Sequence, residues 1–442
     1  MMKTEAYDNF RMDTVIETLS AVVPPAQIRT WDALEPFQQT VLSNALIEKS
    51  IYWVEPATDA ELAAIVSTAR QQGWRILPCG HATKLDWGGL IEGVTLVVST
   101  TRLNRLIDHA VGDLTVTAEA GIPFAQLQQT LNQAGQFLAI DPTHPDRATL
   151  GGIIATGDTG SLRHRYNSVR DMLLGISFVR HDGESVKAGG RVVKNVAGYD
   201  LMKLFTGSYG TLGIITQATF RVYPLPQASQ SVVISGDAEL IAQATQTILS
   251  SALMPVCLDL LSHRSSQALE LGDSVSLIVR FQSIVESVHQ QIDRTIELAQ
   301  ALNLAATVHA DDADLWQRAA EWINVSSQAD TIVCKIGVKP SEAVSMIRSL
   351  ESTIPTAEIL IHAGSGIGRI IAREVQLAQI QAARSTLSNA GGYLSILQAP
   401  VRLKQQLEVW GYSGNALELM KRIKTQFDPQ TLFSPHRFVG GI

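Results

Sequence analysis

The stretch DPTHPDRATLGGIIATGDTG, residues 141–160, decides how the rest of the chain is read. Gly151, Gly152, Ala155, Gly157 and Gly160 leave little side-chain bulk along it, and Thr149, Thr156, Asp158 and Thr159 place short polar groups between them. A flat, extended, phosphate-bearing cofactor needs such a bed, because its atoms lie against the backbone while short hydroxyls bond it without clashing. The competing reading is a Gly-rich structural connection, but a turn needs fewer glycines and no interleaved hydroxyls.

Two further stretches have the same character. Upstream, Pro78-Cys-Gly-His-Ala-Thr-Lys84 follows a strand-like segment. Gly80 and Ala82 would let the backbone approach a ligand, and successive free N–H groups in such a loop form an anion-binding nest. Thr83 and Lys84 add a hydroxyl and a charge, although an ordinary turn with an exposed lysine has the same residues. Downstream, between Gly189 and Thr216, Gly198, Gly207, Gly210 and Gly213 again allow close approach, and Ile214-Ile215 open a strand, ITQATFRVYPL. An edge of that strand could hold a base through main-chain groups. Residues 199–204 read as a short packing helix.

Three parts emerge along the chain. Residues 1–46 form a helical lead-in, broken at Pro24-Pro25. From Ile51 the order is strand, turn, helix, strand, with Asp59 as the helix N-cap and Leu62, Ile65 and Val66 on one stripe. The character changes at Tyr223-Pro-Leu-Pro226, so a boundary is placed there, giving parts 47–226 and 227–442. Beyond it, strands such as SLIVRFQ and TIVCKIGV alternate with amphipathic helices, which predicts one layer of strands covered by helices. No internal repeat is legible. Asp311-Asp-Ala-Asp314 reads as a solvated loop or helix start, and Arg402-Leu-Lys404 as a helix surface.

The composition sets limits. The chain has 442 residues with 35 Lys and Arg against 42 Asp and Glu, a formal charge of −7, which argues against a nucleic-acid surface. Cys79, Cys257 and Cys334 stand too far apart in sequence for a CxxC pair, which excludes a disulfide framework and an iron–sulfur cluster held by this chain alone. No window of about 18 apolar residues occurs, so a membrane would be reached only through partners. A cytoplasmic, reducing location is expected.

The three glycine-rich stretches together resemble the FAD-binding domain of the vanillyl-alcohol oxidase/p-cresol methylhydroxylase family, over about residues 47 to 226. Within it, the text LPCGHATKLDWGG, DPTHPDRATLGGIIATGDTG and RVVKNVAGYDLMKLFTGSYGTLGIITQATFRVYPLP looks like the smaller FAD-binding subunits, of the subunit-E type, of bacterial glycolate oxidase. The closing segment Phe427-Asp-Pro-Gln-Thr-Leu-Phe-Ser-Pro-His-Arg437 is similar to the family's FDP…NPGR ending, with Ser434 and His436 in place of Asn and Gly. The resemblance implies an α+β fold: a two-part FAD-binding domain of p-cresol methylhydroxylase type, then a sheet-and-helix, ferredoxin-like cap. It implies that Pro78, Gly80, His81, Ala82, Thr83 and Lys84 hold the FAD pyrophosphate. Asp141, Pro142, Thr149, Gly151, Gly152, Ala155, Thr156, Thr159 and Gly160 would line the flavin side, and Gly213, Ile214 and Ile215 the adenine side. Arg163 and Arg165 are close enough in sequence to neutralise phosphate, or are plain surface arginines. Some relatives attach flavin to a histidine of the first loop; His81 falls one position early for that, so non-covalent FAD is expected.

Relatives also carry a cap motif resembling HxGDGNxH. Here the matching text is Ile361-His-Ala-Gly-Ser-Gly-Ile-Gly-Arg369, which keeps His362 but has Ser365, Ile367 and Arg369 where Asp, Asn and the second His would stand. A metal site usually takes about three protein ligands, so none is expected, and a strand end with a turn is the preferred reading. No catalytic residue is assigned. The resemblance implies an FAD-binding redox subunit that oxidises glycolate, a small 2-hydroxy acid, together with a larger FAD-binding glycolate oxidase subunit and an iron–sulfur subunit. The alternatives are a self-sufficient FAD-dependent 2-hydroxy-acid dehydrogenase and a flavin-free scaffold.

Overall fold

The computed structural model describes residues 14–190, 199–324 and 330–442. Gly198 therefore lies outside the described residues. The lead-in is not wholly helical: after a helix over 14–20, β1 (Ile28–Thr30) pairs antiparallel with β2 (Tyr52–Val54). The helix Asp59–Gln72 then crosses to β3 (Arg75–Cys79), and both β2 and β3 run parallel to β4 (Val94–Ser99). Thr58, not Asp59, caps that helix, its side chain accepting from Glu61 N. Leu62, Ile65, Val66 and Ala69 make the buried stripe, and Gly73 ends the helix at φ +69°.

Of the next six strands, five build an antiparallel sheet. The six are β5 (Leu106–Ala110), β6 (Thr115–Glu119), β7 (Gln136–Phe137), β8 (Leu173–Val179), β9 (Ser185–Gly189) and β10 (Ile214–Arg221), in which β5-β6-β10-β8-β9 is the order and β7 pairs separately with β11 (Tyr223–Pro224). The strand opened by Ile214 is thus interior, not an edge. Only Ile214 and Ile215 run past the end of β6, whose pairing starts at Gln217. Their free side is what the edge reading requires.

The remaining strands form one antiparallel sheet of eight: β12 (Ala228–Gly236), β13 (Cys257–Leu261), β14 (Val275–Ser283), β15 (Ala305–His309), β16 (Thr331–Gly337), β17 (Glu358–His362), β18 (Ile367–Arg373) and β19 (Tyr393–Gln398). The order is β15-β12-β14-β13-β17-β18-β16-β19. Each half follows β-α-β-β-α-β with its first strand beside its fourth, so the cap is two ferredoxin-like units joined edge to edge. This structural repeat leaves no readable sequence trace, because a sheet-and-helix unit requires only apolar alternation and not particular residues.

Alternation also explains the two faces. Leu258, Leu260, Cys334, Ile336 and Ile370 pack under the helices Ala238–Ser250, Val285–Ala301, Ala343–Thr353 and Leu377–Asn389. The residues between or beside them, Asp259, Lys335 and Arg369, point the other way. That polar face meets the FAD-binding part. The helix start expected at 311–314 is present, the helix running Ala313–Ile323, but its N-cap Asp312 is not solvated: it is buried and paired with Arg280 at 3.0 Å. Lys404 likewise leaves the helix surface and donates its buried ammonium to Asp86 O.

The chain ends where it began. Ile76 N donates to Leu432 O at 2.7 Å and Ser434 N to Ile76 O at 2.9 Å, so the closing segment lies along β3 and buries Phe433 in the first core.

Candidate functional site

A cavity opens where three backbone segments converge. The loop after β3 supplies Pro78, Gly80, His81, Ala82, Thr83 and Lys84. Thr149, Gly151, Gly152, Ala155 and Thr156 come from the helix Leu150–Thr156 and its cap, and Gly213, Ile214 and Ile215 from the start of β10. Asp141, Pro142, Thr159 and Gly160 do not line this cavity; Asp141 instead accepts from Gly160 N at 2.9 Å and Leu162 N at 3.0 Å. Arg163 and Arg165 do not line it either.

The cavity is walled by main chain because side chains would not fit. A Cβ on Gly151 would lie 2.9 Å from Ala120 Cβ, and one on Gly213 2.8 Å from Val179 O. Ala82 adopts φ +63°, which turns successive N–H groups of the loop as a nest requires. Thr149 caps its helix by accepting from Gly152 N. His81 Nδ1 lies 3.0 Å from Arg147 O, and burial lowers its pKa.

Sequence reasoning missed Ser208, Tyr209, Thr100 and Arg437, which also line the cavity. Ser208 and Tyr209 stand between Gly207 and Gly210, a signal that was available. Arg437 is 4% exposed and donates to the carbonyls of Lys84, Leu85 and Tyr209 at 2.8 to 3.3 Å. Burial lowers its pKa to about 10, still far above neutrality. Cys79 lines the cavity too, but burial pushes its thiol well up, so it is not a ready nucleophile.

Charged groups gather at the junction with the cap. Asp158 Oδ2 accepts from Lys84 Nζ at 3.0 Å, and its Oδ1 from Arg369 Nη2 at 2.6 Å. Burial opposes the Asp158 charge, but Lys84 and Arg369 outweigh it and hold the carboxyl well below the usual range. Asp259 accepts from Ser161 Oγ and lies 2.7 Å from His362 Nδ1. His362 and Arg369, the retained and replaced ends of the metal-motif segment, are thus both engaged with carboxylates. A guanidinium at the second position does not fit a metal site, and no group of three candidate ligands is found among the described residues. On the same face Lys335 stands directly opposite Arg369 across β16 and β18. Its desolvation, with Arg163 and Arg369 nearby, lowers its pKa to about 8.

Comparison with known proteins bears on the fold and the cofactor. A family profile for an FAD binding domain matches residues 51–189. The structure of p-cresol methylhydroxylase with substrate bound superposes with a TM-score of 0.78 at 14% identity, covering 96% of each chain. The chain carries an FAD-binding domain and has the fold of p-cresol methylhydroxylase. This FAD-dependent oxidoreductase is 22% identical to glycolate oxidase subunit GlcD of Bacillus subtilis, over 86% of this chain and 87% of that one. It is 39% identical to glycolate oxidase subunit GlcE of Escherichia coli over 35% of this chain and 43% of the relative. A D-lactate dehydrogenase of Archaeoglobus fulgidus is 25% identical over 96% of this chain and 99% of its own length. These relatives are named for two 2-hydroxy acids, glycolate and D-lactate. Among the described residues no helix is long and apolar enough to cross a membrane.

Proposed function

We propose that this oxidoreductase is the smaller FAD-binding subunit of a complex that oxidises glycolate, working beside a larger flavoprotein and an iron–sulfur subunit. The observation that carries it is the cavity to which three separate segments each bring a glycine, Gly80, Gly151 and Gly213, so that a ligand can lie against the backbone. The nest at Gly80–Thr83 would hold the pyrophosphate, and the free side of Ile214 and Ile215 the adenine. Asp141, Pro142, Thr159 and Gly160 would form the second layer behind the flavin side. Similarity to two proteins named as glycolate oxidase subunits supports the complex. The three cysteines are free and sit on β3, β13 and β16, so cluster ligands would come from a partner chain.

FAD, when bound, accepts the two electrons removed from a hydroxyl-bearing carbon. The chain's own task is to bind the cofactor, keep water from it and present the substrate. A second reading, a self-sufficient dehydrogenase, is favoured by the cations opposite each other on β16 and β18. Like charges directly opposite repel. Lys335 finds no carboxylate partner among the described residues, and buried Arg163 Nε has no hydrogen-bond partner there. A substrate carboxylate would satisfy both. Anaerobic mixing of the purified chain with glycolate separates the two readings. No flavin bleaching on the turnover timescale of the complex supports the subunit role; bleaching at the turnover rate supports the second.

A further inference from the structure

Lys84, Asp158 and Arg369 form a charge-unbalanced group at the edge of the cavity. Lys84 belongs to the cavity wall, Asp158 to the turn after the helix Leu150–Thr156, and Arg369 to β18 of the cap. Their side chains are 4%, 1% and 14% exposed. Thr143 completes the shell, donating to Asp158 Oδ2 from its N at 2.8 Å and its Oγ1 at 2.6 Å. The indole of Trp87 lies beneath both cations, at 5.7 Å from Lys84 Nζ and 5.4 Å from the Arg369 guanidinium. The carboxylate is thus shared between two cations in a dry place; burial lowers the Lys84 pKa and Asp158 pulls it back up, and with Lys84 protonated the group carries one surplus positive charge.

Surplus charge in such a place is costly. A contact that served only to dock the cap would use one cation for one carboxylate, as Arg280 does for Asp312. The nearby charges do not remove the surplus. Asp86 faces two cations, Arg437 and Lys404, while Arg163 and Lys335 add to the positive side. Asp141, whose charge acts on Arg163, and Asp259 offset these two cations, so the group's own surplus remains. The surplus has a use if the ligand in the cavity becomes more negative during its work.

We propose that Lys84 is the cation that raises the reduction potential of bound FAD, with Asp158 and Arg369 as positioning residues that set the group's net charge. The proposal rests on the FAD reading of the cavity. A cofactor that takes up two electrons and one proton gains one negative charge. A fixed cation in a low-dielectric site stabilises that form over the oxidised one and so draws electrons from a 2-hydroxy acid or a partner flavoprotein. Lys84 is the lining residue suited to this, because through Asp158 it joins the cavity to Arg369 of the cap.

The test is the potential of the FAD-loaded full chain, measured by equilibration with reference dyes, alongside FAD content. Removing the Lys84 charge (Lys84→Met) lowers the potential, so the reduced-to-oxidised ratio at fixed poise falls at least about threefold. Arg369→Gln shifts it the same way. Asp158→Asn leaves two uncompensated cations and raises it. The double variant Lys84→Met/Asp158→Asn restores a single surplus charge and returns the potential towards wild type, although it removes more contacts than either single change. Lys84→Arg stays near wild type. A merely structural role would move all variants in one direction. Stoichiometric FAD with an unshifted potential in Lys84→Met overturns the proposal, as do single-variant shifts of one sign. So does loss of FAD from Lys84→Met combined with an unshifted potential in Arg369→Gln. A wild-type chain that takes up no FAD would defeat the cavity reading itself.

Discussion

Gly80 and Thr149 are packed so closely that a Cβ on Gly80 would overlap the Thr149 hydroxyl and lie 2.8 Å from its Cβ. The first glycine-rich loop and the cap of the second segment's helix therefore share one wall of the cavity. Gly80→Ala is expected to push Thr149 aside. Uncapping its helix costs about 1 kcal/mol of stability, and FAD affinity falls at least about tenfold, or 1.4 kcal/mol. Fluorescence titration of apoprotein with FAD checks this; an unchanged affinity would show that the wall can yield.

A second prediction concerns the closing segment. Lys424 Nζ donates to Asp428 Oδ2 at 2.6 Å, Thr211 O at 2.8 Å and Phe433 O at 3.0 Å. Asp428 also accepts from Leu432 N and Phe433 N, both at 2.8 Å. Lys424→Met leaves a buried, uncompensated carboxylate, so unfolding free energy should fall by about 3–5 kcal/mol. Denaturant titration reads this directly; a loss below about 1 kcal/mol, the scale of an exposed pair, would contradict it.

The third follows from Asp141. Burial raises its pKa from 3.8 to about 6, against the lowering effect of the Leu162 and Gly160 amides and His362. The folded state therefore holds this proton more tightly than the unfolded state. The stability it contributes is full below pH 3.8 and is lost as pH rises through about 6. Relative to wild type, Asp141→Asn should gain stability between pH 4 and pH 7, by on the order of 3 kcal/mol if the shift is fully expressed. Melting curves of both proteins across that range test the sign; a constant difference would mean that Asp141 does not titrate there.

The fourth concerns the substrate side. If the cation pair receives a carboxylate, glycolate perturbs the flavin spectrum of the loaded chain, and Lys335→Met raises the apparent Kd at least about tenfold through loss of a charge-assisted bond. Spectral titration at fixed pH reads it. An equal Kd in both proteins would remove Lys335 from any substrate site.

Much of this was legible in the sequence, for definable reasons. The part of the glycine bed from 149 to 156 and the loop at 80–84 could be read because close backbone approach restricts residue choice so sharply, whereas Gly157, Thr159 and Gly160 stand away from the cavity. The polar face of the cap could not be read in the same way. Asp259, Lys335 and Arg369 stand in three strands separated by more than thirty residues, and only the strand pairing brings them together. Asp158 looked like one short polar group of the bed, whereas its partners Lys84 and Arg369 lie 74 and 211 positions away. Asp312 and Lys404 misled for the same cause: burial of a charge depends on a distant counter-group that local pattern does not reveal.

The central claim is that three glycine-rich segments build an FAD cavity, and the most direct measurement is FAD bound per chain. The account predicts a yellow protein, or an apoprotein that takes up one FAD per chain from solution, and loses that capacity in Gly80→Val. A folded wild-type chain that stays colourless in excess FAD would contradict it.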